Sequence, residues 1–107
     1  MSVKHWTSPN DANHSNRHAE ADGIEFFAFP YQNYLGRQGD YLAVVGDFTI
    51  VRESDGVSHC VTRWSAVIKL CQPSGATTNV IWQGFDTQDE AFEWAAEQLT
   101  KLNVTSM

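Results

Sequence analysis

Two long runs of strand-forming residues meet at one short turn and lead, through a third run, into a capped helix. This arrangement leaves the chain few ways to fold. Tyr41–Glu53 and Val57–Cys71 are rich in β-branched and aromatic residues and flank Ser54-Asp55-Gly56. Gln72-Pro73-Ser74-Gly75-Ala76 is a second turn, and Thr77–Phe85 continues as a further strand. Thr87-Gln88-Asp89-Glu90 has the form of a capping box, in which the Thr87 hydroxyl accepts from the Glu90 amide and the Glu90 carboxylate returns to Thr87. Ala91, Phe92, Ala95, Leu99 and Leu102 then recur at helical spacing, with Glu90, Glu93 and Glu97 on the watered side and Trp94 at the rim. Asn103 is placed to cap the end.

Side chains alternate across a strand, so a one-residue slip exchanges its faces. The more apolar set of the first long strand is Leu42, Val44, Gly46, Phe48 and Ile50, and that of the second is Cys60, Thr62, Trp64, Ala66, Ile68 and Leu70. Pairing these two sets requires a three-residue loop, Ser54-Asp55-Gly56, with Gly56 left-handed. That register sets Gly46 opposite Trp64, so that an indole covers bare backbone, and Asp47 opposite Arg63 as a cross-strand ion pair. It also keeps the first strand continuous through Gly46-Asp47, an alternative hairpin turn. Val80 and Trp82 continue the core side on the third strand.

Upstream, Ile24–Phe29 is a strand stopped by Pro30, and Tyr31–Asp40 is a long loop carrying two tyrosines and two glycines. Residues 1–22 are rich in Asn, Ser, His and Asp and are expected to form a flexible arm, leaving 23–107 as one domain. The expected fold is therefore α+β: an antiparallel sheet of about four strands with one C-terminal helix packed on one face.

A chain of 107 residues suffices for one core. The net charge of -6 argues against a protein that grips duplex phosphates. The charge is uneven: Asp86, Asp89, Glu90, Glu93 and Glu97 are answered only by Lys101 in the C-terminal segment, so the helix is the acidic element. The first residues carry no apolar stretch of leader type and no run is of membrane length, so neither a secretory leader nor a membrane span is expected, and the cytoplasm is the expected compartment.

No residues combine into a catalytic, cofactor-binding or metal-binding motif. His14 and His18 stand four apart but lack further ligands around them. Cys60 and Cys71 fall on opposite faces of one strand and are expected to be free thiols, with Cys60 a small core residue. His59 lies near a hairpin end with no partner fixed beside it. The remaining signal is a surface. The sheet face turned from the helix is expected to carry Tyr41, Ala43, Val45, Asp47, Thr49 and Val51, then Val57, His59, Val61, Arg63, Ser65, Val67 and Lys69, then Ile81 and Gln83. That is about as many apolar as polar groups, where a two-layer monomer is usually polar.

The chain is accordingly expected to be a small acidic protein-binding or regulatory protein, of inhibitor, immunity or adaptor type, homodimeric and contacting an unidentified protein. Tyr31, Tyr34, Tyr41, Val45, Val51, His59, Val61, Arg63, Val67, Lys69, Glu93 and Glu97 form the candidate interaction surface. An alternative is single-stranded nucleic-acid binding, with Tyr31, Tyr34 and Tyr41 stacking on bases and Arg37, Arg63 and Lys69 holding phosphates. An enzyme or small-ligand site around His59 and Arg63 ranks last, because acid–base chemistry needs positioned partners.

Overall fold

The structure, a computed structural model, describes residues 3–6, 18–29 and 33–105. Within them seven strands precede one helix: β1 (Val3–Trp6), β2 (His18–Ala21), β3 (Ile24–Phe29), β4 (Asn33–Gln38), β5 (Tyr41–Ser54), β6 (Val57–Cys71), β7 (Thr77–Phe85) and α1 (Gln88–Thr105). The strands form one antiparallel sheet in sequence order. The expected α+β class and the helix on one face are present, but the sheet is larger than about four strands. The segment expected to be a flexible arm supplies β1 and β2, and the expected loop at Tyr31–Asp40 contains β4.

Tight turns account for this meander. Asp22-Gly23 and Asp55-Gly56 each place two successive residues at positive φ (56° and 82°, 54° and 77°), the geometry of a type I′ hairpin turn, which matches the twist of the strands it joins. Gly39 at φ 62° opens the two-residue β4–β5 turn.

The second of these turns corrects the expected register. Ser54 pairs with Val57, so the loop is Asp55-Gly56 alone and residues of opposite parity share a face. Ala43 lies opposite Ile68, Val45 opposite Ala66 and Asp47 opposite Trp64, while Gly46 faces Ser65 and Phe48 faces Arg63. The core side of β6 is as expected, whereas that of β5 is inverted. β7 is inverted too: Ile81 packs against the core and Trp82 is exposed. β5 does run unbroken through Gly46-Asp47.

The inner face is built from small residues. Ala19, Ala21, Ala43 and Ala66 are buried beneath the helix residues Ala91, Phe92, Ala95, Ala96 and Leu99. Small side chains on both layers let the helix approach closely, and Phe92 fills the space left between them. Its ring meets Phe26 at 5.1 Å, Tyr34 edge-on at 4.9 Å and His5 at 5.6 Å. Gly36 pairs with Phe26, and a Cβ on Gly36 would lie 2.5 Å from that ring, so here an aromatic side chain does cover bare backbone.

Both helix ends are tied down. The Thr87 hydroxyl accepts from the Glu90 amide (3.3 Å) and donates to the Glu90 carboxylate (2.8 Å), so the carboxylate returns to the hydroxyl. His5 of β1 meets Asp89 at 2.7 Å. At the far end the Asn103 amide donates to Leu99 O (2.7 Å) and to Gln38 O (2.8 Å), joining α1 to the β4–β5 turn. Trp94 is half-buried against Phe85, as expected of a rim residue.

Two substitutions test this core from opposite directions. Phe92→Ala should lose about 3–5 kcal/mol through a cavity, and Gly36→Ala about 1–3 kcal/mol through overpacking against Phe26. Urea unfolding followed by circular dichroism measures both. A Gly36→Ala protein as stable as the parent would refute the close approach of Phe26.

Candidate interaction surface

Inverting β5 and β7 transfers the larger apolar side chains to the face without a helix. The strand registers align His18, Phe27, Leu35, Val44, Val67 and Trp82 in one row across β2 to β7. Phe27 is 55% exposed, Leu35 38% and Trp82 61%. His18 stacks on Phe27 at 5.3 Å. At the other end Trp82 lies over Gly84, its indole tip 3.5 Å from where a Cβ would be, and the Phe48 ring closes on the same glycine. Beyond the end of β7, β5 and β6 continue as a two-stranded ribbon. Phe48, Ile50 and Val61 are half-buried on its bare side, and residues 51–60 are exposed throughout.

The charges segregate between the faces. By strand alternation Lys4, Arg37, Arg52, Arg63 and Lys69 belong to the bare face, where among the described strand residues only Glu20 and Glu25 oppose them. Asp47 and Glu53 belong to the helix side, with Asp89, Glu90, Glu93 and Glu97 on the helix itself. Arg63 is anchored, reaching Asp86 at 3.4 Å and donating to Phe85 O at 3.4 Å. Arg37 donates to Gly39 O at 3.1 Å. A protein of net charge -6 thus presents a cationic, apolar face.

An open groove of about 400 Å³ indents one end of this face. Phe27 and Leu35 meet there with Glu20, Glu25 and Arg37, beside the Gly23 turn. The floor of the groove is apolar and its walls are charged.

The residues singled out in the sequence divide. His59, Val61, Arg63, Val67 and Lys69 share the bare face as expected. Tyr34 (4% exposed) and Val45 are core, and Tyr41 packs against the core from the helix side, so these three leave the candidate surface. Val51 is exposed on the ribbon but on the helix side. Glu93 and Glu97 lie on α1, half-buried and exposed, with Glu97 3.4 Å from Lys101. Tyr31 and His14 lie outside the described residues. Cys60 is exposed on the ribbon rather than in the core, and both cysteines are free thiols. Sequence reasoning missed Phe27, Leu35, Val44, Phe48 and Trp82; the strong two-residue hairpin signal Asp55-Gly56 pointed to Val44 and Phe48, the two on β5.

Among the described residues no polar or charged residue is buried, and no three His, Cys, Asp or Glu side chains converge as metal ligands. No described helix is long and apolar enough to cross a membrane. No family model, curated protein or solved structure matches the chain.

Exposed aromatics contribute little to stability and much to contact. Phe27→Ser combined with Trp82→Ser should shift the folding free energy by less than about 1 kcal/mol. The same pair of changes should strongly reduce binding of an apolar dye such as anilinonaphthalene sulfonate. Undiminished dye binding would place the accessible apolar surface elsewhere.

Proposed function

We propose that this chain is a non-enzymatic binding protein that works through the bare face of its sheet. Its partner is a protein presenting an apolar patch rimmed by carboxylates. The observation that carries this reading is the row from Phe27 to Trp82, apolar across five adjacent strands and exposed at both ends. Contiguous apolar exposure of this extent marks a contact surface. With strands about 4.8 Å apart and same-face neighbours about 7 Å apart, the face of β3–β7 with the ribbon covers on the order of 700 Å². Each partner in a stable complex contributes roughly 800 Å². Arg37, Arg52, Arg63 and Lys69 around the apolar row select for acidic rims and would steer such a partner into place. The free thiols fit a reducing cytoplasm as the compartment.

The test is affinity capture from the native host with the full chain as bait. The partner should be lost with Phe27→Ser plus Trp82→Ser, and its association should slow several-fold with Lys69→Glu. Glu93→Lys with Glu97→Lys should leave capture unchanged. The opposite pattern, capture lost only on reversing the helix charges, would make α1 the working surface.

One observation favours a second reading, single-stranded nucleic acid on the same face: the exposed rings of Phe27 and Trp82 lie among Arg37, Arg63 and Lys69. Aromatic platforms beside cations are how such strands are held without sequence preference. The tyrosines expected to stack do not serve, since Tyr34 and Tyr41 face the core. Titrating a labelled oligonucleotide at low salt decides between the two. Micromolar binding that weakens steeply with added salt and is abolished by Trp82→Ser supports nucleic acid, and no binding leaves the protein partner.

A further inference from the structure

The two ends of the sheet are unlike. β1 is four residues long, carries Lys4 and His5, and is held to α1 through the His5–Asp89 contact. β7 is nine residues, Thr-Thr-Asn-Val-Ile-Trp-Gln-Gly-Phe, with no charged residue and no proline. Among the described residues β7 is paired on one side only, with β6. Val80 and Trp82 on it are 44% and 61% exposed.

A long, uncharged, β-branched edge is a template for another strand, and sheets ordinarily blunt such edges with charge, proline, shortness or a bulge. The one such device on β7 is the bulge at Val80, where Ile68 pairs with Ile81 and Lys69 with Asn79. The run on either side of it is left open. We infer that β7 is a homodimerisation edge, pairing antiparallel with β7 of a second copy and joining two seven-stranded sheets into one.

The choice of a second copy rests on charge and closure. Two copies of an uncharged strand meet with no like charges opposed. A two-fold pairing about Ile81 sets Val80 of each copy beside Trp82 of the other, an aromatic–aliphatic cross-strand contact. The pairing uses the same patch on both copies, so it closes as a dimer. Pairing β7 with β1 would instead propagate into a filament, and the short, basic β1 opposes it. The inference concerns an edge, not the bare face, and stands independently of the proposed partner. Its consequence is that the two bare faces become one continuous surface with the Trp82 side chains at its centre.

Sedimentation of the full chain over a range of concentrations tests the dimer. The expected mass is twice 12.0 kDa in the concentrated protein, and Val80→Lys should weaken self-association at least tenfold with an unchanged circular dichroism spectrum. Hydrogen exchange of the parent protein supplies a readout that needs no variant: the amides of 77–85 should be protected when concentrated and exchange faster on dilution. A monomer at every concentration overturns the inference. So does exchange at 77–85 that ignores concentration, or a dimer that survives Val80→Lys. A dimer lost with Phe27→Ser but kept with Val80→Lys would instead place the second copy on the bare face. Partner capture through the bare face should persist in Val80→Lys, so the two readings fail separately.

Discussion

The arrangement of this protein depends on the two-residue turn Asp55-Gly56. The turn closes with Ser54 against Val57, and from there the antiparallel ladder carries one parity rule through fourteen residues of β5. The rule sends Ala43 and Val45 towards the helix and Leu42, Val44, Phe48 and Ile50 away from it. A one-residue longer loop would have done the reverse and put the larger set under α1. The turn holds because a type I′ geometry follows the twist of a ribbon this long, and Gly56 adopts it without strain. The core accommodates the result by using small residues. Alanines on both layers bring the helix close, and Phe92 fills the gap between Phe26 and Tyr34. The apolar bare face is thus the direct counterpart of the small-residue core.

The parts of the fold that could be read from sequence were those with redundant signals. The helix has a capping box, an apolar stripe and an acidic opposite side, and all three agree with the structure. β3, β5, β6 and β7 are marked by β-branched and aromatic residues. β1, β2 and β4 are short and polar, and β4 contains Gly36, whose place in a strand is explained only by the Phe26 ring lying over it. The four-strand expectation came from that missing contrast. The expected indole of Trp64 over Gly46 is not formed, and Gly46 sits against Asn33; rings cover strand glycines elsewhere, Trp82 over Gly84 and the phenyl of Phe26 over Gly36. On β5 the count of apolar residues and the local chemistry of Asp-Gly point to opposite parities, and the turn decides, because two successive left-handed residues close a two-residue loop. The same dipeptide at Asp22-Gly23 makes the β2–β3 hairpin and is the one sequence signal of β2.

Charge shows a second limit of one-dimensional reading. The distribution of charge along the chain marks the helix as acidic, while residues 41–84 carry three basic and three acidic groups. The strands are neutral only on average. Alternation sorts Arg37, Arg52, Arg63 and Lys69 to the bare side and Asp47 and Glu53 to the other. Once folded, the molecule is cationic on its apolar face and anionic over its helix. A partner approaching such a charge distribution is oriented before contact, since opposed faces attract and repel it differently. The surface residues recovered from sequence (His59, Val61, Arg63, Val67 and Lys69) all come from β6, the strand whose parity was read correctly.

Trp82 joins the face to the edge. It ends the apolar row, covers Gly84 beside Phe48, and stands on the last strand of the sheet. Among the described residues β7 pairs only with β6, and Trp82 remains 61% exposed although it covers Gly84. Joining the sheet at β7 would enclose it on that side, and a partner on the bare face would enclose it from above. The two contacts would meet one large side chain from different directions, the edge in the plane of the sheet and the face from above it, so neither would displace the other.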